Sequence, residues 1–473
     1  MGVLMQVICT GIICWICMNM GVMFSWPSST YRLFESANTT LHRPMTEAEL
    51  ALFGSLSSVG ALLGTPVIGM LLDKLGRKYC AIIGSLTGVI SWAMIAASNR
   101  VEVLLTAIFV SGLSGSVFLV VPVYIGEFCQ ESIRGAMTSG FMMFYGIGML
   151  VSYIIGGFLE YYSMVYICLT LSVLGTVLIA ILKESPVYLM SRGLEEEAKK
   201  SIAYFRRVKC DDKEVLEEIN NIRRALNPDM DSPDITPEEE KLKQPIEGSK
   251  KLSLWQFFKK SRSTRRAMMV CLILVTASIF QGLIVVQVYA EPLFEEAIPS
   301  MSSTLCSVLL AVASVLAGLG AAYLSESAGR RPLMIYSSFA SGISCMVLGS
   351  QIHMRWGPGW VTAIFMYLFA VVFSVGSGII PFVVIAEVFL PEVKSFISML
   401  VVEWAWLCNS IILFIFNPLL KAIGLGPVFY LFATVCFFTT VFCWFCLPET
   451  KGMPVDAIQT LFNNKRRRIP VTY

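Results

Sequence analysis

Long apolar runs separated by short polar connections make up most of this chain. A helix needs about 20 apolar residues to cross a bilayer. Runs of that length recur with centres near residues 15, 61, 88, 113, 148, 173, 279, 313, 342, 373, 408 and 437. The pattern predicts twelve membrane helices and an all-α membrane protein; the short alternating strands of a β-barrel are not found in it. Gly60, Gly64 and Pro66 lie inside one run, a poor choice for a soluble helix but a good one for tightly packed membrane helices. The first run, Val7–Trp26, follows no basic segment and leads directly into further spans, so it reads as a helix rather than a cleaved signal.

With 56% hydrophobic and 15% charged residues, the 473-residue chain is not an ordinary soluble protein. Its fourteen Cys fall mostly inside the spans, where they read as small packing residues rather than disulfides or metal ligands. A net charge of +3 says less than its distribution. Lys and Arg concentrate at 73–78, 183–266, 330–331 and 465–468, whereas other connections carry few, such as Arg43, Arg100 and Lys421. The positive-inside tendency puts the basic connections and both termini in the cytoplasm. The connection 27–49 then faces outside, with the sequon at Asn38 as a glycosylation candidate.

The layout expected is a six-helix bundle over 1–190, a helical cytoplasmic linker over 191–262, a second bundle over 263–450, and a tail over 451–473. In the linker, Leu194–Val208 and Glu214–Leu226 read as amphipathic helices with Ile202, Phe205, Leu216 and Ile219 as apolar points. An acidic stretch between Pro228 and Pro245 reads as mobile, and Leu252–Phe258 as a return to the membrane surface. The linker is either a solvated connector or a regulatory surface.

One set of landmarks occurs twice in the same order. Gly69, Asp73, Lys74, Gly76, Arg77 and Lys78 match Glu326, Gly329, Arg330 and Arg331. Glu127 with Arg134 matches Glu387 with Lys394, and Glu184-Ser185-Pro186 matches Pro448-Glu449-Thr450. A duplicated membrane half points to a transporter whose binding site lies between the halves. Read singly, such charges either set topology or pair across helices that part during transport. Their recurrence favours a gate made of Asp73, Arg77, Glu127, Arg134, Glu184, Glu326, Arg330, Glu387, Lys394 and Glu449.

These residues, with Pro122-Val123-Tyr124-Ile125-Gly126-Glu127, Arg134-Gly135, Pro391 and Pro448-Glu449-Thr450-Lys451-Gly452, cover nearly the whole chain. Their order resembles that of the sugar porter family of the major facilitator superfamily, and within it the insect facilitated trehalose transporter-like members. The resemblance implies two six-helix bundles, a central sugar site, alternating access and a cytoplasmic gate made by these charges. It departs from the family in its polar residues. Ser278, Ile279, Gln281 and Ile284 stand where the seventh helix of the family carries amides, Met142 replaces a fifth-helix Gln, Ser314 an eighth-helix Asn, and Phe382 a tenth-helix Trp. Ala107 occupies the place of a fourth-helix Arg. Trp406 and Asn409 fit the eleventh-helix pattern.

A sugar must exchange water for protein hydrogen bonds, and lost amides leave its hydroxyls unpaired. The substrate candidates are therefore the polar groups left in the spans, Gln281, Gln287, Ser278, Ser314, Asn409 and Glu403, with Phe382 and Trp406. Gln281 and Gln287 either line the cavity or bond between helices. Glu403 either faces the bundle interior, as intramembrane carboxylates do, or sits near the external surface in water. Met23 lies where proton-coupled relatives keep a carboxylate, so the resemblance points to facilitated diffusion.

The reading expected is a monomer-sufficient plasma-membrane facilitator of a hexose, trehalose or polyol, with the lipid bilayer as its only other partner and no cofactor or metal. A sensor that no longer moves cargo and a facilitator of a less polar solute are the alternatives. No nucleophile–base arrangement suggests an enzyme. His42 and His353 fall in expected loops, and Arg466-Arg467-Arg468 reads as a contact with anionic lipid rather than nucleic acid.

Overall fold

The computed structural model describes residues 2–226, 262–389, 391–451, 453, 458 and 460–462. The side chains of Glu326 and Lys394, the stretch Pro228–Pro245, Leu252–Phe258 and the Arg466 cluster lie outside the described residues. The first half contains α1 (Gly2–Glu35), α2 (Glu47–Leu75), α3 (Arg77–Ala97), α4 (Val101–Gly112), α5 (Val117–Phe128), α6 (Glu131–Phe158) and α7 (Tyr161–Ile181). Three short helices follow, α8 (Pro186–Ser191), α9 (Glu195–Arg206) and α10 (Lys213–Leu226). The second half contains α11 (Arg262–Phe280), α12 (Leu283–Val288), α13 (Ala290–Ala297), α14 (Ser303–Ala328), α15 (Arg330–Met354), α16 (Gly359–Val375), α17 (Ile380–Val388), α18 (Pro391–Ile423) and α19 (Leu425–Cys446). Among the described residues, twelve helical stretches are long and apolar enough to span a membrane, and their positions agree with the twelve runs read from the sequence. The chain is a multi-pass membrane protein.

Three spans are interrupted, each for a local reason. The fourth tightens into a 3-10 turn at Leu113–Ser116 between α4 and α5. There it crosses α2 so closely that a Cβ on Gly60 would lie 2.2 Å from the Phe109 carbonyl, and one on Gly112 2.1 Å from that of Ser57. Small residues let membrane helix backbones meet in this way. The seventh span breaks between α11 and α12, where Gly282 takes a φ of 94°. The tenth breaks at 376–379, and Pro381 restarts it in the first turn of α17, where a missing N–H costs nothing.

Apolar packing joins the halves most extensively at one end. One large cluster brings Trp26, Phe34, Phe53 and Tyr153 together with Tyr289, Phe294, Phe416 and Phe429. Towards the ends that carry the basic connections the clusters are smaller: Tyr124, Ile125 and Phe128 lie in one that also takes in Trp406 from the second half, and Ile380, Val384 and Phe389 lie in one made by the second half.

The linker helices α9 and α10 pack on α8 through Tyr188, Ile202, Val215 and Ile219. Ile202, Phe205 and Ile219 are buried as expected, but Leu216 is exposed and Val215 fills the core in its place. Adjacent apolar residues leave the helix register ambiguous by one position, and packing chose the β-branched one. His353 lies in the last turn of α15 and not in a loop. The described cysteines are free thiols; Cys210 is partly buried, Cys446 is exposed and the others are buried.

Candidate functional site

At the basic end the two halves carry the same construction. Gly76, with a φ of 95°, ends α2, and Arg77 begins α3 at once. The Arg77 guanidinium meets one Glu127 oxygen through Nε at 3.0 Å and Nη2 at 2.8 Å. The Ser185 hydroxyl donates to the other Glu127 oxygen. Glu184 accepts from the backbone N–H groups of Arg77 at 3.0 Å and of Lys78 at 3.0 and 3.2 Å. A carboxylate there satisfies orphan donors at the positive end of α3. The Arg77 guanidinium also lies 5.5 Å from the Tyr188 ring centre, within cation–π range.

The second half repeats each element. Gly329 has a φ of 89°, and Arg330 reaches one Glu387 oxygen through Nε at 3.0 Å and Nη2 at 2.7 Å. Thr450 donates to the other at 2.6 Å. Glu449 accepts from the N–H groups of Arg330 at 3.0 Å and Arg331 at 3.1 Å. At both glycines an added Cβ would crowd the capping carboxylate, 2.4 Å from Glu184 and 2.8 Å from Glu449.

Three of the proposed gate residues stand differently from the sequence reading. Asp73 is mostly exposed and touches Arg77 at 3.4 Å; the carboxylate at the helix N-terminus is Glu184. Arg134 donates to the Cys129 carbonyl at 3.4 Å, and its Nε has no partner among the described residues. Glu127 is therefore held by Arg77 and Ser185. Among the described residues, the ion pairs between the halves are Arg32 with Glu295 at 3.1 Å and Lys421 with Glu47 at 2.7 Å. Both lie at the opposite end. There the Glu291 N–H also donates to Ser28 at 2.8 Å, and the Tyr153 hydroxyl donates to the Gln287 carbonyl. Exposed Asn38 lies at this end as well.

Midway along the seam, Trp406 of α18 inserts between helices of the first half. Its ring centre lies 5.8 Å from Phe24 and 5.9 Å from Phe118. Tyr145 packs on both Phe24 and Phe118, at 6.5 and 5.6 Å, and Phe141 lies 5.9 Å from Phe118. Sequence reading found Trp406 but missed these four partners, because aromatic residues inside uniformly apolar spans carry no periodic contrast.

The other substrate candidates divide. Gln281 is fully buried, and its amide donates to Ser338 at 3.3 Å, which is the interhelical alternative. Ser278 donates to the Ser377 carbonyl at 2.6 Å within the same half. Gln281 Oε1, Ser314 Oγ, Trp406 Nε1 and Glu403 Oε1 are buried without a partner among the described residues. Phe382 is exposed, and Gln287 and Asn409 are partly buried. Glu403 lies six residues beyond Ile397, which starts its span, and twenty before Ile423, which ends it, so it lies in the half of the span nearer the basic end. Among the described residues no cluster of His, Cys, Asp and Glu could hold a metal.

Residues 3–462 match the family described as Sugar (and other) transporter. Among curated proteins, the chain is 25% identical over 472 residues to the facilitated trehalose transporter Tret1 of Polypedilum vanderplanki, covering 97% of this chain and 89% of that protein. It is 25% identical over 432 residues to Tret1 of Bombyx mori, covering 90% and 81%. Among solved structures it resembles the inward open conformation of the xylose transporter XylE from E. coli, with a TM-score of 0.76, 18% identity and coverage of 96% and 98%. The same transporter bound to 6-bromo-6-deoxy-D-glucose gives 0.70 at 19% identity, covering 96% and 99%.

Proposed function

The chain belongs to the Sugar (and other) transporter family, and on that premise we propose that it carries a hexose, trehalose or polyol across the plasma membrane by alternating access. The basic end and both termini are cytoplasmic in this reading, and Asn38 is the glycosylated residue of an external connection. The division at 1–190, 191–262, 263–450 and 451–473 separates the bundles that move from the linker and tail that accompany them.

The observation that carries this reading is the placement of the ionic contacts. At the basic end each latch, Arg77–Glu127 and Arg330–Glu387, closes within its own half, whereas the pairs that cross between halves among the described residues sit at the opposite end. This is the arrangement of a transporter closed to the outside, with bundles free to part on the inside. Each latch is the gating element of its bundle: it keeps three helix ends together while the bundle pivots as a unit. Arg134 and Asp73 belong to the rim of the first latch.

The substrate sits against the aromatic seam of Phe24, Phe118, Tyr145 and Trp406. A pyranose or polyol offers C–H faces to aromatic rings and hydroxyls to polar groups. Trp406 Nε1, Ser314 Oγ and Glu403 Oε1 supply partners that the described residues leave unmatched. Asn409 and Gln287 extend this set along the seam, and Phe382 forms its rim. Gln281 and Ser278 act through packing, by fixing the break between α11 and α12. The buried, apolar Met23 in the first helix supports uniport over proton coupling.

The direct test is uptake of radiolabelled glucose, trehalose and polyols by transporter-null cells expressing the chain. Saturable uptake insensitive to a protonophore is expected. Surface expression without saturable flux of any of them would remove the sugar assignment, and abolition by the protonophore would remove uniport.

A further inference from the structure

We propose that the groove between the first turns of α1, the Lys183 connection and the α9–α10 turn binds the phosphorylated headgroup of an anionic lipid. It is an open groove of about 1120 Å³. Four cations line it, Lys183, Lys200, Arg207 and Lys209, against one carboxylate, Asp212. That carboxylate is engaged by the Lys209 backbone N–H at 2.9 Å. None of the four cations has an ion pair among the described residues.

The neighbouring cations of the same helices behave differently. Lys199 pairs with Glu195 and Glu196, Arg206 with Glu214 and Glu218, and Arg223 with Glu195. Carboxylates are thus plentiful on α9 and α10 and neutralise the cations that face away from the groove. Those that line it keep an unbalanced positive charge, which is the footprint of an anion site.

The rest of the groove distinguishes a lipid from a free phosphate. Met5, Tyr204 and Val208 form an apolar wall beside the cations. Lys183 lies two residues past the end of α7, and Met5 lies in the first turns of α1, so the groove opens where two spans leave the bilayer. Basic residues at that level attract anionic headgroups, and the apolar wall continues towards the acyl region. A bound headgroup would tie the linker helices to the first bundle.

The test uses the full-length chain in a neutral detergent, titrated with dioctanoyl phosphatidylinositol 4-phosphate, dioctanoyl phosphatidylcholine and inositol 1,4-bisphosphate. Saturable binding of the first is expected, with none of the second and at least tenfold weaker binding of the third. The double variant Lys200→Glu, Lys209→Glu should weaken the first by tenfold or more, and Arg207→Gly by about fivefold, at about 1 kcal/mol per cation near a surface. Gly accepts the φ of 55° that Arg207 adopts, so that variant removes charge without backbone strain. Lys213→Glu, an exposed cation 3.7 Å from Glu217 and outside the groove, should change nothing. Equal binding of the two lipids, or full binding by the double variant, overturns the proposal. Equally tight inositol bisphosphate would give the groove to a soluble phosphate instead. Binding seen only after Asp229, Asp231, Asp234, Glu238, Glu239 and Glu240 are neutralised would give it to the chain's own acidic stretch.

Discussion

The two ends of this molecule use the same chemistry for opposite purposes. At the basic end, the Arg77–Glu127 pair is 13 and 15% exposed and the Arg330–Glu387 pair 14 and 25%, and each joins helices of one half. At the opposite end, Lys421 and Glu47 are 45 and 78% exposed, Arg32 and Glu295 52 and 58%, and both pairs join different halves. Partly buried pairs in which two guanidinium N–H groups share one carboxylate oxygen and a hydroxyl holds the other are hard to break; solvated pairs contribute about 0–1 kcal/mol. Contacts that must last through a transport cycle are therefore sheltered, and contacts that must open are left in water. The difference separates what holds a bundle together from what holds two bundles shut.

The sheltered latches give the largest expected effect. Truncating one partner of a mostly buried pair costs about 3–5 kcal/mol, because the other charge is left unpaired. Arg77→Ala and Arg330→Ala should each lower the melting temperature of the purified protein by many degrees and abolish flux. The equal geometry of the two latches predicts equal losses. A large loss from Arg77→Ala with none from Arg330→Ala would show that the second latch is a relic of duplication.

Between the two ends, the aromatic seam tests whether substrate uses it. Trp406→Ala removes a ring that four aromatic side chains of the first half surround directly or through Phe118 and Tyr145. A buried aromatic anchor is worth about 2 kcal/mol or more, roughly thirtyfold in affinity. Flux at low substrate should fall by that factor with both latches intact, alongside a lower melting temperature, because truncating a buried Trp leaves a cavity. Unchanged flux from Trp406→Ala would move the binding site away from this seam.

The latches were legible in the sequence because they are repeated. Two copies of a glycine followed by Arg, each with a Glu and then a Glu-Ser or Glu-Thr downstream, marked which residues belong to the latches, although the spacing set Glu127 beside Arg134 and not Arg77. The partner of each atom was not legible. Asp73 lies nearer in sequence to the α3 N-terminus than Glu184 does, yet Glu184 reaches it, since the chain returns there after α7. The seam was legible only from the second half, where Trp406 fits the eleventh-helix pattern of the family that the chain resembles. Phe24, Phe118 and Tyr145 lie in spans so uniformly apolar that no position announces its face. Gln281 shows the remaining limit: its residue type allowed a sugar contact, and only the position of Ser338 on α15 turned it inward.

A smaller effect is expected from Glu291, which lies outside the spans at the end where the halves meet. Burial raises its carboxyl above the usual 4.5, a Thr304 hydroxyl at 3.0 Å partly offsets this, and the nearby Glu295 charge adds to it. Glu295 is itself paired with Arg32, and Ser28 of α1 faces the Glu291 backbone. The sign follows from which state buries the group. The closed end binds the proton more tightly than an opened, solvated one, so acid favours closure. That stabilisation is complete below the ordinary carboxyl value and is lost as pH rises through the raised one. Acidifying the outside should therefore slow labelling of a cysteine placed at Ser28, and Glu291→Gln should flatten that dependence. An identical pH profile in Glu291→Gln would assign the effect to another group.

The smallest effect should come from the pair that looks most like a lock. Lys421→Glu leaves two carboxylates where a cation and an anion stood 2.7 Å apart, but both are well solvated and screened by salt. The melting temperature should move by a degree or less. What should move is the balance between states: repulsion acts only while the end is closed, so opening to the outside becomes easier by up to about 1 kcal/mol, roughly fivefold. Cysteine accessibility from outside reads that shift, and the exchange Lys421→Glu with Glu47→Lys should restore it. Should Lys421→Glu instead lower the melting temperature as far as Arg77→Ala does, the division between a sheltered end that holds and a solvated end that yields would be lost.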